Sequence, residues 1–185
     1  MSTPVGHMLA AGTVYQGTGP HSLNPVWMLA WIGVMANLPD GDLLFGFFSG
    51  NPNLYHHQWT HSLFFGLVMG VSAGLIFYLI RSDSSLRMGL LTGGAIISHI
   101  ILDYFTCDSS PPYGLQIFWP FSKAYFISPV ILFPDVHKAS DSGRFLSSLF
   151  CLHNARTVAA EFLFLGPVFV AAWIIRRARQ KRRPI

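Results

Sequence analysis

The sequence predicts an all-α integral membrane helical bundle with three full transmembrane helices, a short N-terminal helical hairpin and an interfacial aromatic loop, in a single domain over residues 1–185. Hydrophobic residues make up 51% of the chain and charged residues only 11%, which is unusual for a soluble domain. The mean hydropathy is +0.44. No lysine or arginine precedes Arg81, and six of the twelve lie within residues 176–183, which is typical of the cytoplasmic end of a membrane protein.

Two short apolar segments predict the N-terminal hairpin. Residues 4–16 are mildly apolar and too short to span a bilayer unaided. A break at residues 17–25 contains glycine and proline and precedes a second apolar run at residues 26–38. We therefore expect two helices that are only partly inserted in the membrane.

A polar turn follows the second short segment. Pro39 and Gly41 are expected to end the helix there and to leave Asp40 and Asp42 on a turn. Because the two helices of a hairpin run in opposite directions, we expect this turn to lie near His7, at the start of the first helix.

Three longer apolar segments predict the transmembrane helices at residues 62–80, 88–106 and 158–175. Residues 81–87 form a short polar loop between the first two. Residues 107–156 are rich in aromatic residues and too often broken by proline for a span, so they predict a loop at the level of the lipid headgroups.

The first long segment carries a glycine repeat. Gly66, Gly70 and Gly74 are spaced by four residues and so share one face of a helix. Small residues at this spacing let a neighbouring helix approach closely. We therefore expect a tightly packed hairpin between the segments at residues 62–80 and 88–106.

An ionisable pair lies within the second long segment. His99 and Asp103 are four residues apart and share one helix face. An aspartate in a membrane helix costs about 2.5–3.5 kcal/mol on the insertion scale, so such a residue indicates a functional site. In an antiparallel hairpin, His61 lies at about the same depth as this pair. The three side chains are therefore expected to meet at one membrane face.

Imidazoles and carboxylates without a cysteine motif are typical ligands of a zinc or manganese centre. The number of candidate ligands is larger than one tetrahedral site can take. We therefore expect two ions that share a carboxylate, as in enzymes that hydrolyse phosphoesters. The set is His7, Asp40, Asp42, His56 or His57, His61, His99 and Asp103. The residues expected to be ordinary loop residues are His21, Asp108, Asp135, His137 and His153.

The charge pattern also predicts sidedness. The short loop with Arg81 and Arg87 and the basic tail are expected to be cytoplasmic. The histidine and aspartate cluster then faces the opposite side, which in a bacterium is the periplasmic face, or outer leaflet, of the inner membrane. A weaker contrary signal comes from the basic residues of the long loop, which are Lys123, Lys138, Arg144 and Arg156.

Five short motifs in order carry a family resemblance. They read Gly-His-Met-Leu, Leu-Pro-Asp-Gly-Asp, His-His-Gln-Trp-Thr-His-Ser, Ser-His-Ile-Ile-Leu-Asp and Trp-Pro-Phe-Ser. The set resembles the LexA-regulated, membrane-bound metal-dependent hydrolase family, which is distantly similar to zinc-dependent phospholipase C and to single-strand nucleases. The resemblance covers residues 6 to about 135. It implies a helical fold, Asp40 as a ligand or general base, and metal ligands at His7, Asp42, His61, His99 and Asp103.

The chain departs from the family pattern at one motif. The family usually has His-Arg-Gly-x-Thr-His-Ser, which aligns its first histidine with His56 and its arginine with His57. Helical spacing favours His57 as the ligand, because it lies four residues before His61. Alignment favours His56, which we prefer here.

These observations together predict a membrane-bound metal-dependent hydrolase, with Asp40 and Asp42 as the catalytic residues. The expected substrate is a phosphoester in a lipid or lipid-linked molecule, by analogy with phospholipase C, and no nucleic acid is expected as a partner. The alternative is a membrane protein that binds or transports a divalent metal without catalysis. The substrate, the metal and the oligomeric state stay open.

Overall fold

The computed structural model describes residues 1–17 and 24–181, and these residues form helices joined by turns and one long loop. The described part of the chain contains two isolated β-bridges and no strand. The predicted all-α fold is therefore confirmed. The helices are α1 (Pro4–Gly17), α2 (Pro25–Asn37), α3 (Asp42–Phe48), α4 (Leu63–Leu79), α5 (Ser85–Tyr104), α6 (Ser142–Leu149) and α7 (Leu152–Lys181).

Helix α5 is the centre of the bundle, because it packs against α4, α1 and α2. Helix α7 lies against the other side of α1. An apolar cluster joins α1, α2 and α5, and most of its buried members are small or flexible side chains. Its buried residues are Ala11, Tyr15, Met28, Ile32, Ala36, Met88, Leu91 and Ala95.

The glycine repeat of α4 faces glycine residues of α5, as the predicted tight hairpin requires. A Cβ atom placed on Gly70 would lie 3.0 Å from the carbonyl oxygen of Gly89, and one placed on Gly89 would lie 2.9 Å from the carbonyl oxygen of Gly70. Only residues without a side chain allow two helix backbones to approach this closely.

The prediction of three full transmembrane helices is wrong in its count. Among the described residues, two helices are long and apolar enough to cross a membrane, Ser85–Tyr104 and Leu152–Lys181. The expected span at residues 62–80 is shorter, because Ser62 caps its start by accepting a hydrogen bond from the Phe65 amide, 3.0 Å away. The resulting 17-residue helix α4 is about 26 Å long, less than the hydrocarbon core of about 30 Å.

Two other boundaries differ from prediction. Helix α5 begins three residues before the expected 88–106 segment and ends at Tyr104, because Thr106 pairs with Phe133 in a β-bridge. Helix α7 extends well beyond the expected 158–175 segment at both ends and includes most of the basic tail. Basic residues have good helix propensity, so they continue the helix beyond its apolar part.

The long loop is more ordered than its sequence predicts. It contains helix α6, whose start is capped by the Asp141 carboxylate. The sequence predicts an irregular segment at residues 107–156, so this helix was not expected. The loop is also hydrogen-bonded to the bundle, since the Leu63 amide donates to the carbonyl of Ile117 and the Gln116 amide donates to that of His57. Exposed aromatic residues in this loop, such as Phe118 and Phe121, agree with the interfacial position that we predict.

The break expected at residues 17–25 falls mostly on residues 18–23, which lie outside the described part of the chain, as do His21 and residues 182–185. Within the described part, α4 and α7 begin at the end of the bundle that holds His61 and Glu161, and they run toward Arg81 and Arg176. This arrangement is compatible with the predicted sidedness, which stays a prediction.

We expect Gly89→Ala to destabilise the bundle, because its methyl group must displace the backbone of α4. Overpacking of this kind lowers the free energy of unfolding by about 1–3 kcal/mol. The measurement is the midpoint of thermal unfolding in detergent. The matched control is Gly166→Ala in α7, where the nearest atoms lie 3.8 Å from the new methyl group. Equal midpoints for the two variants would contradict the tight packing.

Candidate metal centre

The structure brings all the predicted site residues to one end of the bundle, where four stretches of chain meet. His7 lies at the end of the first turn of α1, and His99 and Asp103 lie one turn apart near the end of α5. Asp40 is in the 3₁₀ turn Pro39–Gly41, and Asp42 begins α3. The remaining three histidines lie between the turn Pro52–Tyr55 and the start of α4: His56, His57 and His61.

The orientation of His99 is set by a backbone hydrogen bond. Its Nδ1 atom lies 2.7 Å from the carbonyl oxygen of Ala36, at the end of α2. A carbonyl can only accept, so Nδ1 carries the hydrogen and Nε2 presents a lone pair. That Nε2 atom lies 3.3 Å from Oδ2 of Asp103 and 3.1 Å from Nε2 of His61.

Asp42 lies behind two of the histidines rather than among the converging atoms. Its Oδ1 is 2.8 Å from Nδ1 of His56, and its Oδ2 is 3.2 Å from Nδ1 of His61. Oδ2 also accepts a hydrogen bond from the Thr60 hydroxyl, 2.8 Å away. A carboxylate on the far nitrogen of a histidine orients that ring and increases its basicity as a ligand. The position of Asp42 therefore favours this orienting role over the ligand and catalytic roles expected from the sequence.

His57 has a comparable carboxylate of its own. Its Nδ1 lies 3.3 Å from Oδ2 of Asp108, while its Nε2 lies 3.8 Å from Oδ2 of Asp103. The backbone of His57 has φ of +65°, a left-handed conformation that is uncommon for residues other than glycine and that clusters at functional sites. The structure therefore places both His56 and His57 at the cluster, and it brings in Asp108, which we expected to be a loop residue.

Asp40 and His7 complete the cluster. Oδ1 of Asp40 lies 3.5 Å from Nε2 of His61 and 3.7 Å from Nε2 of His99. The His7 ring stacks on that of His99 at 3.6 Å between centroids, and its Nε2 lies 3.5 Å from Oδ1 of Asp103. The predicted approach of the polar turn to His7 is thus confirmed.

Several buried polar atoms of the cluster have no hydrogen-bond partner. Burying such atoms without partners costs free energy, and each case calls for an explanation. Several of them lie within 4.0 Å of one another across the cluster, as the donor atoms of a metal site do. They are both ring nitrogens of His7, both oxygens of Asp40, Nε2 of His56, Nε2 of His57 and Oδ2 of Asp103.

The pKa values of the histidines fit the same interpretation. Burial lowers the pKa of His7 and of His57 to about 3 and holds that of His56 well below its usual value. Burial also opposes the charged form of His61, but Asp42 and a second carboxylate outweigh burial and raise its pKa to about 9. His7, His56 and His57 are therefore neutral imidazoles at neutral pH, and the carboxylates stabilise positive charge at His61.

Two overlapping groups of side chains have the arrangement needed to hold a metal ion, with ligand atoms within 4.8 Å of one another in each group. The orphaned nitrogens and carboxylate oxygens form the nitrogen and oxygen donor set that suits a divalent zinc or manganese ion. The first group is His56, His57 and His61, and the second is Asp40, His61, His99 and Asp103.

The N-terminal segment supports the cluster in a way that sequence reasoning missed. The Ser2 amide donates to Oδ1 of Asp103 over 2.6 Å, and the Thr3 amide donates to Oε1 of Glu161 in α7 over 2.8 Å. The Thr3 hydroxyl also donates to Glu161. Serine and threonine residues do not stand out in such a sequence, whereas an acidic residue within an apolar helix indicates a functional role. Glu161, fully buried, could have been identified on that ground.

Comparison with known proteins identifies one family. A family model described as YdjM inner membrane protein matches residues 1–179. No curated protein and no solved structure matches the chain. The match confirms the predicted resemblance to a LexA-regulated membrane protein family, and it includes no likeness to phospholipase C or to nucleases.

We expect Asp42→Asn to weaken metal binding without abolishing it, because the variant disturbs the rings of His56 and His61 and leaves the converging atoms in place. Loss of an orienting carboxylate typically lowers metal affinity by about 10–100-fold. The measurement is zinc titration of detergent-purified protein, with Asp40→Asn as the comparison. Loss of stoichiometric zinc in Asp42→Asn at saturating metal would show that Asp42 is itself a ligand.

Proposed function

This chain belongs to the YdjM inner membrane protein family, and from its polar cluster we propose that it is a metal-dependent hydrolase. The observation that carries the proposal is the convergence of unpartnered Nε2 and carboxylate atoms in a buried site, while Nδ1 atoms on the far side are fixed by other groups. Metal-binding histidines typically show this division between the two ring nitrogens.

The proposed centre holds two divalent ions, with zinc preferred and manganese possible. The two overlapping groups support this number, because together they offer more donors than one tetrahedral ion takes. Asp103 is the proposed bridging carboxylate, since Oδ1 faces His7 while Oδ2 faces His61 and His99. The proposed ligands are His7, Asp40, His56, His57, His61, His99 and Asp103.

Asp40 is the proposed general base. Its two oxygens have no hydrogen-bond partner, whereas Oδ1 of Asp103 accepts a hydrogen bond from the Ser2 amide. Metal ions in such a centre lower the pKa of water and stabilise charge on phosphoryl oxygens. We therefore propose Asp40 as the proton acceptor and Asp42 as the carboxylate that orients His56 and His61.

The proposed substrate is a phosphoester in a lipid or lipid-linked molecule at the non-cytoplasmic face. Two observations support a substrate from the membrane: apolar helices lie directly beneath the cluster, and the surrounding loop exposes large aromatic side chains such as Phe121. The phosphoester itself rests on analogy with two-metal phosphoesterases. The positions of Arg81 and Arg176 at the other end support the proposed sidedness.

Metal transport is a weaker proposal. A transported ion needs a polar path through the bundle, whereas the interior between the cluster and the opposite end is filled by an apolar core that includes Met28, Ile32 and Leu91. The experiment below distinguishes hydrolysis from metal binding without turnover.

We expect purified wild-type protein to bind zinc stoichiometrically and to release phosphate or a phosphorylated headgroup from a panel of phospholipids. His99→Ala and Asp103→Ala remove converging atoms and should lose both metal and activity. Metal content is measured by atomic spectroscopy, and products by phosphorus analysis. Chelation should abolish turnover, and added zinc or manganese should restore it.

The matched control is His137→Ala, because His137 is exposed and lies outside the cluster. It should retain wild-type metal content and activity. Stoichiometric metal without turnover on any lipid would leave the metal centre standing and remove the phosphoester proposal. Absence of metal after careful purification would remove both.

A further inference from the structure

A cavity lies at the end of the bundle opposite the metal cluster, between the C-terminal parts of α1 and α7. Its volume is about 390 Å³, which is within the range of about 300–1,000 Å³ typical of small-molecule sites. Helix α1 has 14 residues, so about 21 Å of helix separates the cavity from the cluster. The cavity is therefore distinct from the proposed metal centre.

Two arginines of α7 line this cavity, and each lies over an aromatic ring. The Cζ atom of Arg176 is 4.7 Å from the centre of the Tyr15 ring, and that of Arg177 is 5.1 Å from the centre of the Trp173 ring. Arg176 also donates a hydrogen bond to Oε1 of Gln16 over 3.1 Å. These contacts hold both cations at the wall of the cavity.

No carboxylate compensates the two arginines within the described part of the chain. The lining of the cavity includes no aspartate or glutamate. Among the described residues, the one arginine with a carboxylate oxygen within 4.0 Å is Arg144, which lies in α6. A guanidinium has five N–H donors in a planar fork. The hydrogen bond to Gln16 uses one donor of Arg176, so donors remain for an external anion.

The cavity lies where a membrane helix reaches the lipid headgroups. Residues 162–175 of α7 contain no charged side chain, and Arg176 follows them directly. Arginine, tyrosine and tryptophan are typical of this level of a membrane protein. The cavity also has an apolar wall that includes the exposed side chains of Leu29 and Val170. Its lining thus combines cations for a phosphate with apolar surface for acyl chains.

We propose that this cavity binds an anionic phospholipid, whose phosphate is held by Arg176 and Arg177 and whose acyl chains lie against the apolar wall. Arginine suits a phosphate because its planar fork donates two parallel hydrogen bonds to the phosphate oxygens. Under the predicted sidedness this lipid belongs to the cytoplasmic leaflet, where basic residues recognise anionic lipids. The bound lipid joins the ends of α1 and α7, and it is not the substrate of the metal centre.

The test compares two lipids on full-length protein purified in uncharged detergent. Dioleoyl-phosphatidylglycerol and dioleoyl-phosphatidylcholine are titrated separately, and the dissociation constant of the first bound lipid is measured by native mass spectrometry. We expect phosphatidylglycerol to bind the wild type at least tenfold more tightly than phosphatidylcholine. Arg176→Gln and Arg177→Gln should each weaken phosphatidylglycerol binding by about tenfold and leave phosphatidylcholine binding unchanged.

Two features of the design separate the cavity from other effects. Arg177 contacts a ring of its own helix, so Arg177→Gln leaves the contacts between α1 and α7 in place. The matched control is Arg179→Gln, which makes the same change of charge on the same helix, at an exposed residue outside the cavity. It should retain phosphatidylglycerol affinity within about twofold of the wild type.

Three results would overturn the proposal. The first is equal affinity of the wild type for the two lipids, or unchanged phosphatidylglycerol affinity in Arg177→Gln. The second is equal weakening by Arg177→Gln and Arg179→Gln, because the basic tail then attracts lipid by its charge alone. The third is displacement of phosphatidylglycerol by an equal concentration of inorganic phosphate, which would assign the arginines to a soluble anion. None of these measurements depends on zinc, so failure of the metal centre leaves this proposal standing.

Discussion

The structure depends above all on how it accommodates the carboxylate of Asp103, which lies on an apolar helix at the centre of the bundle. Oδ1 accepts the Ser2 amide, while Oδ2 faces the Nε2 atoms of His99 and His61. A carboxylate buried in this way is stable only when neighbouring donors or positive charge compensate it. The chain segments that supply this compensation come from the N-terminus, from the start of α4 and from α5 itself, so one charge draws distant parts of the chain to one place.

Close packing of the helices makes that convergence possible. The facing glycines of α4 and α5, Gly70 and Gly89, bring the two backbones together, and His61 at the start of α4 thereby meets His99 on α5. Helix α1 is held on the other side by the contact of Thr3 with Glu161 of α7. Because these contacts are backbone-to-backbone or buried hydrogen bonds, they hold the cluster in one geometry, as a site that must position a metal requires.

The two sides of the cluster have different tasks. On the outer side, Ala36, Asp42 and Asp108 engage the Nδ1 atoms of the histidines. On the inner side, the Nε2 atoms of His56 and His57, both oxygens of Asp40 and Oδ2 of Asp103 have no hydrogen-bond partner. The Nε2 atoms of His61 and His99 lie 3.1 Å apart. This asymmetry underlies the proposed hydrolase, because it orients basic lone pairs toward one place and keeps competing donors away from them.

The sequence by itself determined the helical class and most members of the cluster, because helical spacing puts His99 and Asp103 on one face and antiparallel pairing sets the depth of His61. It could not determine the length of α4, which depends on the capping contact of Ser62 with a backbone amide. Only the tertiary structure decided which carboxylates face the centre. Asp40 and Asp42 are two residues apart on one turn. The packing of separate segments decides whether each carboxylate lies against the Nδ1 or the Nε2 atom of a histidine ring. That packing arises from long-range contacts that local sequence patterns do not encode.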